Sequence, residues 1–167
     1  MADALEDKID QWLLWARRED LSADDLFSQV EHYYIEGIGG IDWAESVLAG
    51  MTAVLSLSPG DRRATDFHSE MQISVITLGK HADDLFQSAQ SKFATGDLRQ
   101  SIDLLKRHTG REIRYRQAKE LLSRIKEKIQ STLTADPNNT EAKLLLHDVD
   151  DLEPHLPLSG FRSPDHR

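Results

Sequence analysis

Arg107, Arg111, Arg114, Tyr115, Arg116 and Lys119 put five cations and one aromatic ring within four turns of a helix. Arg107, Arg111 and Arg114 recur at four- and three-residue spacing, which places them on one helix face, and Lys119 falls close to it. Such a face can hold a phosphate or an acidic peptide through charge-assisted hydrogen bonds. Glu112 and Glu120 interrupt the positive field, and a solvated face is the plain reading of charges on an exposed helix. Among the aromatic residues near the start of the chain, Trp12, Tyr33 and Tyr34 read as core packing. Trp15, at the edge of its apolar stripe, is the one placed to act as a surface anchor for a partner.

Other side chains that could do chemistry are scattered. His147-Asp148, His81-Ala82-Asp83-Asp84 and Glu31-His32 join imidazole to carboxylate, but no two histidines show the four-residue spacing of a zinc helix. Seven histidines among 29 acidic residues produce such neighbours by composition alone. Gly37-Ile38-Gly39-Gly40 lacks the Lys-Ser/Thr and the preceding strand of a phosphate loop, so it reads as a turn. No Gly-x-Ser-x-Gly elbow is present. With no cysteine, thiol catalysis, disulfide scaffolds and Cys-ligated zinc are excluded. The sequence calls for no cofactor and no metal.

The elements that must position these residues are helical nearly throughout. Leu5, Ile9, Trp12, Leu13 and Ala16 mark an amphipathic helix over about residues 3–18. Ser22 caps a second, with Leu26, Phe27, Val30 and Tyr34 on its buried side, and the three glycines at 37–40 end it. A third runs over about 42–57, from Asp42 as its cap to Ser58-Pro59-Gly60. From Asp61 to Thr95 apolar residues recur every three or four positions. After Gly96-Asp97 a second periodic run extends to Leu133. Together the two runs predict an antiparallel hairpin on the order of 50 Å long. Gly79 and Gly110 could break its arms, and the period is weakest between Lys106 and Glu112. Asp136-Pro137 stops that segment, Thr140 caps a short last helix, and three of the five prolines follow in the tail.

The expectation is an all-α protein: a three-helix segment at 1–60, a long antiparallel hairpin at 61–134, a short helix at 135–151 and a flexible tail at 152–167, within one continuous helical domain. Its 167 residues are 39% hydrophobic and 29% charged. A net charge of −9 argues against a general nucleic-acid coat. Charge is uneven: residues 1–57 carry 3 basic and 12 acidic side chains, residues 97–134 carry 10 and 5. The apolar stretch Val47–Leu57 is too short for the roughly 20 residues of a membrane span. The acidic start MADALEDKID is no secretory signal, so a cytoplasmic location is expected.

Two resemblances add to this. WAESVLAGMTAVLSLSPGDRRA (43–64), KFATGDLRQSIDLL (92–105) and IQSTLTADPNNTEAKLLL (129–146) resemble pieces of tetratricopeptide (TPR) repeats, about 60 residues in all, with no complete repeat. That resemblance implies a non-enzymatic scaffold that takes a peptide or protein in a groove between helices. ADPNNTEAKLLLHDVDDL (135–152) resembles the segment that carries the paired His-Asp of HD-domain metal phosphohydrolases. There His147 and Asp148 would be metal ligands, with His108 as the first histidine. The family's last acidic ligand could be supplied only by Asp165, in the proline-rich tail. The bland alternative for His147 is a helix C-terminus, where it meets the negative dipole end.

An adaptor that binds a protein partner, with Trp15, Arg107, Arg111, Arg114, Tyr115 and Lys119 as its contact residues, is the expected function. A nucleic-acid-associated role for the 107–119 face and the metal phosphohydrolase are the alternatives. Self-association through the hairpin's apolar stripe is a further expectation.

Overall fold

The structure, a computed structural model, describes residues 2–37, 39–109 and 112–152. The chain is all-α, with seven helices and no strand among the described residues. They are α1 (Ala2–Arg18), α2 (Ala23–Glu36), α3 (Ile41–Leu57), α4 (Arg62–Ala94), α5 (Leu98–His108), α6 (Tyr115–Ala135) and α7 (Thr140–Leu152). No described helix is long and apolar enough to cross a membrane. The expected tail at 152–167 lies outside the described residues after Leu152. The described residues form two compact units that divide inside α4, one up to Gly79 and the other from Lys80 to Leu152.

In the first unit α3 is the centre. Its sequence is apolar on nearly every face, and Ala44, Val47, Ala49, Met51, Ala53 and Val54 are all fully buried. Both α1 and α2 pack on it. Trp12 of α1 sits edge-on to Trp15 and Tyr33, with centroids 5.9 and 5.7 Å away, and its indole N–H donates to the Ser46 carbonyl at 2.9 Å. Gly50 lets this happen: a Cβ there would lie 2.6 and 2.7 Å from the Val30 methyls and 3.1 Å from the Trp12 ring.

Local signals set most boundaries. Ser22 and Asp25 form a capping box, each side chain accepting from the other's backbone N–H at 3.1 and 3.2 Å. Asp61 caps α4 by accepting from the Ala64 N–H, and that bond, helped by Arg63, holds its carboxyl below the usual range. The expected cap roles of Asp42 and Thr140 go elsewhere. Asp42 lies inside α3, buried, where Lys8 of α1 reaches both it and Glu45 at 3.7 Å. Asn139, not Thr140, accepts from the Ala142 N–H at the start of α7.

The turn after α4 is built from two motifs in sequence. Gly96 takes φ +84°, while the Asp97 N–H bonds the Lys92 carbonyl and the Gly96 N–H bonds that of Phe93. This is a Schellman stop, and Asp97 then caps α5 by accepting from the Gln100 N–H at 3.1 Å. In the second unit α5, α6 and α7 pack on one another. Ile102, Leu105, Leu121, Leu122, Ile125, Ile129, Leu145 and Val149 make its core, at the three- and four-residue spacing their sequence shows. The Ser101 hydroxyl is buried and donates to the Ala89 carbonyl at 2.9 Å, which seats α5 against the end of α4.

Of the two possible breaks, α4 runs unbroken through a buried Gly79, whereas the second arm of the hairpin divides into α5 and α6. The His108 carbonyl accepts from both the Glu112 and Ile113 N–H groups, and Ile113 is fully buried. A core side chain thus anchors the connector.

Candidate functional site

The break at 109–114 takes the cationic face apart. Arg107, Arg111 and Arg114 share a face only if one helix runs through all three. Instead Arg107 is exposed in the last turn of α5, Arg111 lies outside the described residues, and Arg114 stands at the N-cap of α6. Arg114 is buried, and its guanidinium meets the Asp83 carboxylate of α4 at 2.6 Å. Tyr115 is half-buried, and Lys119 lies over its ring at 6.0 Å. Trp15 is a core residue, 7% exposed, beside Trp12. Of the six expected contact residues, the described surface therefore presents Arg107 and Lys119 fully and Tyr115 in part.

The same connector holds an arrangement that the sequence does not announce. Glu112 bridges two histidines: one carboxylate oxygen meets His81 Nε2 at 2.8 Å, the other His108 Nδ1 at 3.1 Å. His81 pairs with Glu112 and Asp83 with Arg114, both 31 residues apart, so the connector is tied to α4 at two points in register. The hydrogen bonds from His81 and then His108 pull the Glu112 pKa below its ordinary value. A lowered carboxylate pKa stabilises the fold above the unfolded value of about 4.5, and the gain is lost as pH falls through the folded value. Glu112 is 42% exposed, so solvent screening keeps the effect under about 1 kcal/mol. In urea titrations, the wild type is expected to exceed Glu112→Gln by that margin above the unfolded carboxylate range, with the difference closing as the pH is lowered through and below it.

No group of three His, Asp or Glu among the described residues could hold a metal ion. His147 is exposed on α7, Asp148 is ion-paired with Arg99 of α5, and His108 is engaged by Glu112. Asp165 lies outside the described residues.

A groove opens in the second unit where the turn before α5, the end of α6 and the start of α7 meet. It encloses about 210 Å³. Leu98, Ile129, Ala142 and Leu145 give it an apolar lining, and Asp97, Arg99, Thr132, Asn139 and Glu141 give it polar edges. Each edge follows from a local rule. Asp97 and Asn139 are helix caps, Arg99 stands in the first turn of α5 and reaches Asp148, and Thr132 bonds back to the Lys128 carbonyl at 3.1 Å. Gly96-Asp97-Leu98, from the second TPR-like stretch, forms one wall. The opposite wall comes from Ile129 to Leu145, inside the third such stretch. The sequence marked these pieces separately and gave no sign that they line one cleft.

Compared with family models, with curated proteins and with solved structures, the chain finds no match.

Proposed function

We propose that the protein is a peptide-binding adaptor that works without catalysis, with the groove among α5, α6 and α7 as its docking site. The observation that carries this reading is a cleft of about 210 Å³ that sets apolar side chains beside polar ones in nearly equal measure. An apolar cavity of about 150 Å³ takes up benzene, while ligand and cofactor pockets run to about 300–1,000 Å³. The cleft thus has room for one large side chain rather than a cofactor. Burying a Leu or Phe side chain there contributes about 1.5–3 kcal/mol. The likeness of residues 92–105 and 129–146 to TPR pieces agrees with it, because a TPR scaffold binds its partner between helices.

Thr132→Arg tests the reading. Thr132 is half-buried on α6, and an arginine there keeps helix propensity while filling the cleft. Peptides selected from a random displayed library on the wild-type chain are expected to lose about 10- to 150-fold in affinity on Thr132→Arg, the equivalent of that burial. The thermal midpoint should stay within a few degrees. A correctly folded Thr132→Arg that binds the selected peptides as tightly as the wild type would overturn the proposal.

A further inference from the structure

The groove's charge identifies what should flank the apolar anchor, an argument that rests on the proposed docking site. Three of its lining residues are charged: Asp97, Arg99 and Glu141. Arg99 is already held by Asp148 of α7. An Asp97 carboxylate oxygen caps α5, and Glu141 is exposed on the first turn of α7. Asp148, Asp103 and Glu141 all act on Arg99 and raise its pKa, which places their negative charge around that one cation. Lys143 is two residues past Glu141, and at 100° per residue it falls on the far side of α7. Lys128 is one turn from Thr132 on α6 and is not part of the lining.

Among the lining residues two acids, Asp97 and Glu141, thus stand against one cation, Arg99, which Asp148 already engages, and the edges are acidic in balance. A bound peptide would bring its own backbone and neighbouring side chains over these edges. An acidic neighbour would be repelled and a basic one attracted, which is how edge charges select between partners of equal apolar character. We infer that the groove between α5, α6 and α7 binds a protein segment in which a large apolar side chain is directly flanked by Lys or Arg.

Three acetylated peptides that differ at two positions test this against the isotope-labelled full chain: Gly-Ser-Leu-Lys-Ser-Gly, its Leu-Glu counterpart and its Ala-Lys counterpart. Binding is read from amide shifts of Gly96, Thr132 and Ala142. The Leu-Lys peptide is expected to move these amides with a Kd near the millimolar range. The Leu-Glu peptide should be about 10-fold weaker at low salt, from two edge contacts changing sign. Glu141→Lys should narrow or invert that preference, and salt should erode it. Equal binding of Leu-Lys and Leu-Glu would overturn the charge inference and leave the docking site standing. Equal binding of Leu-Lys and Ala-Lys would overturn the apolar anchor. No shift of these amides with any peptide, Thr132→Arg being equally silent, would remove the docking site and the inference with it. Shifts that appear on concentrating the chain alone would assign the groove to a second copy and overturn the peptide reading.

Discussion

Truncating Ile125 to alanine is expected to destabilise the second unit by about 3–4 kcal/mol, within the range of buried Ile→Ala changes. Ile125 is fully buried in the middle of α6, among Leu121, Leu122 and Ile129 on its own helix and the α5 and α7 residues of the same core. The loss combines the transfer free energy of three carbons with the cavity left behind, and a core built from three packed helices closes over such a gap only in part. The two units give different spectroscopic signals. All three tryptophans, Trp12, Trp15 and Trp43, precede Gly79, so tryptophan fluorescence follows the first unit, whereas circular dichroism follows every helix. In urea, Ile125→Ala should lower the midpoint seen by dichroism and leave the tryptophan transition nearly in place. A tryptophan midpoint that fell by the same amount would mean that the two cores unfold as one.

The second large effect has a sign that helix propensity alone would reverse. In an exposed helix, Gly→Ala stabilises by about 1 kcal/mol. At Gly50 the added methyl would lie 2.6 and 2.7 Å from Val30 and 3.1 Å from Trp12. Val30 is β-branched and fully buried, and Trp12 is held by its bond to the Ser46 carbonyl, so neither can swing aside cheaply. Relief must come from moving α1 or α2 away from α3. Overpacking of this kind costs about 1–3 kcal/mol, and the helix gain of about 1 kcal/mol set against it leaves a net loss of up to about 2 kcal/mol. Gly50→Ala is thus expected to lower the tryptophan-detected midpoint, while Gly60→Ala, where nothing stands within 4 Å of the new methyl, should leave it unchanged.

Nearly all of the helical framework could be read from local rules because the signals lie within a few residues of what they control. The Ser22 cap, the glycines after Glu36, Ser58-Pro59-Gly60, Gly96-Asp97 and Asp136-Pro137 each act on the adjacent turn. What could not be read depends on partners far away in sequence. Asp42 has the type and position of a helix cap, and only α1, some thirty residues earlier, shows that it faces Lys8 instead. Gly79 and Gly110 look alike as possible breaks. Gly79 stays helical, whereas α5 ends at His108, where Ile113 reaches the core and the His108 carbonyl takes two donors. That interruption puts Arg107 and Arg114 on different helices, so the face they share exists only as helix periodicity. Glu112 between His81 and His108, and the groove lined from three helices, are tertiary facts with no periodic trace.

The central position of α3 has a consequence for biosynthesis. Both α1 and α2 bury their apolar stripes on α3, which is translated after them. At about 5–20 residues per second, the interval from Glu36 to Leu57 leaves Trp12, Trp15, Leu26 and Val30 without their packing surface for roughly 1–4 s. During that interval the nascent chain displays two unpaired amphipathic helices, the form of exposed apolar surface that holdase chaperones capture. Once Leu57 clears the ribosome, α1 and α2 have their packing surface, and docking on it should follow far faster than synthesis.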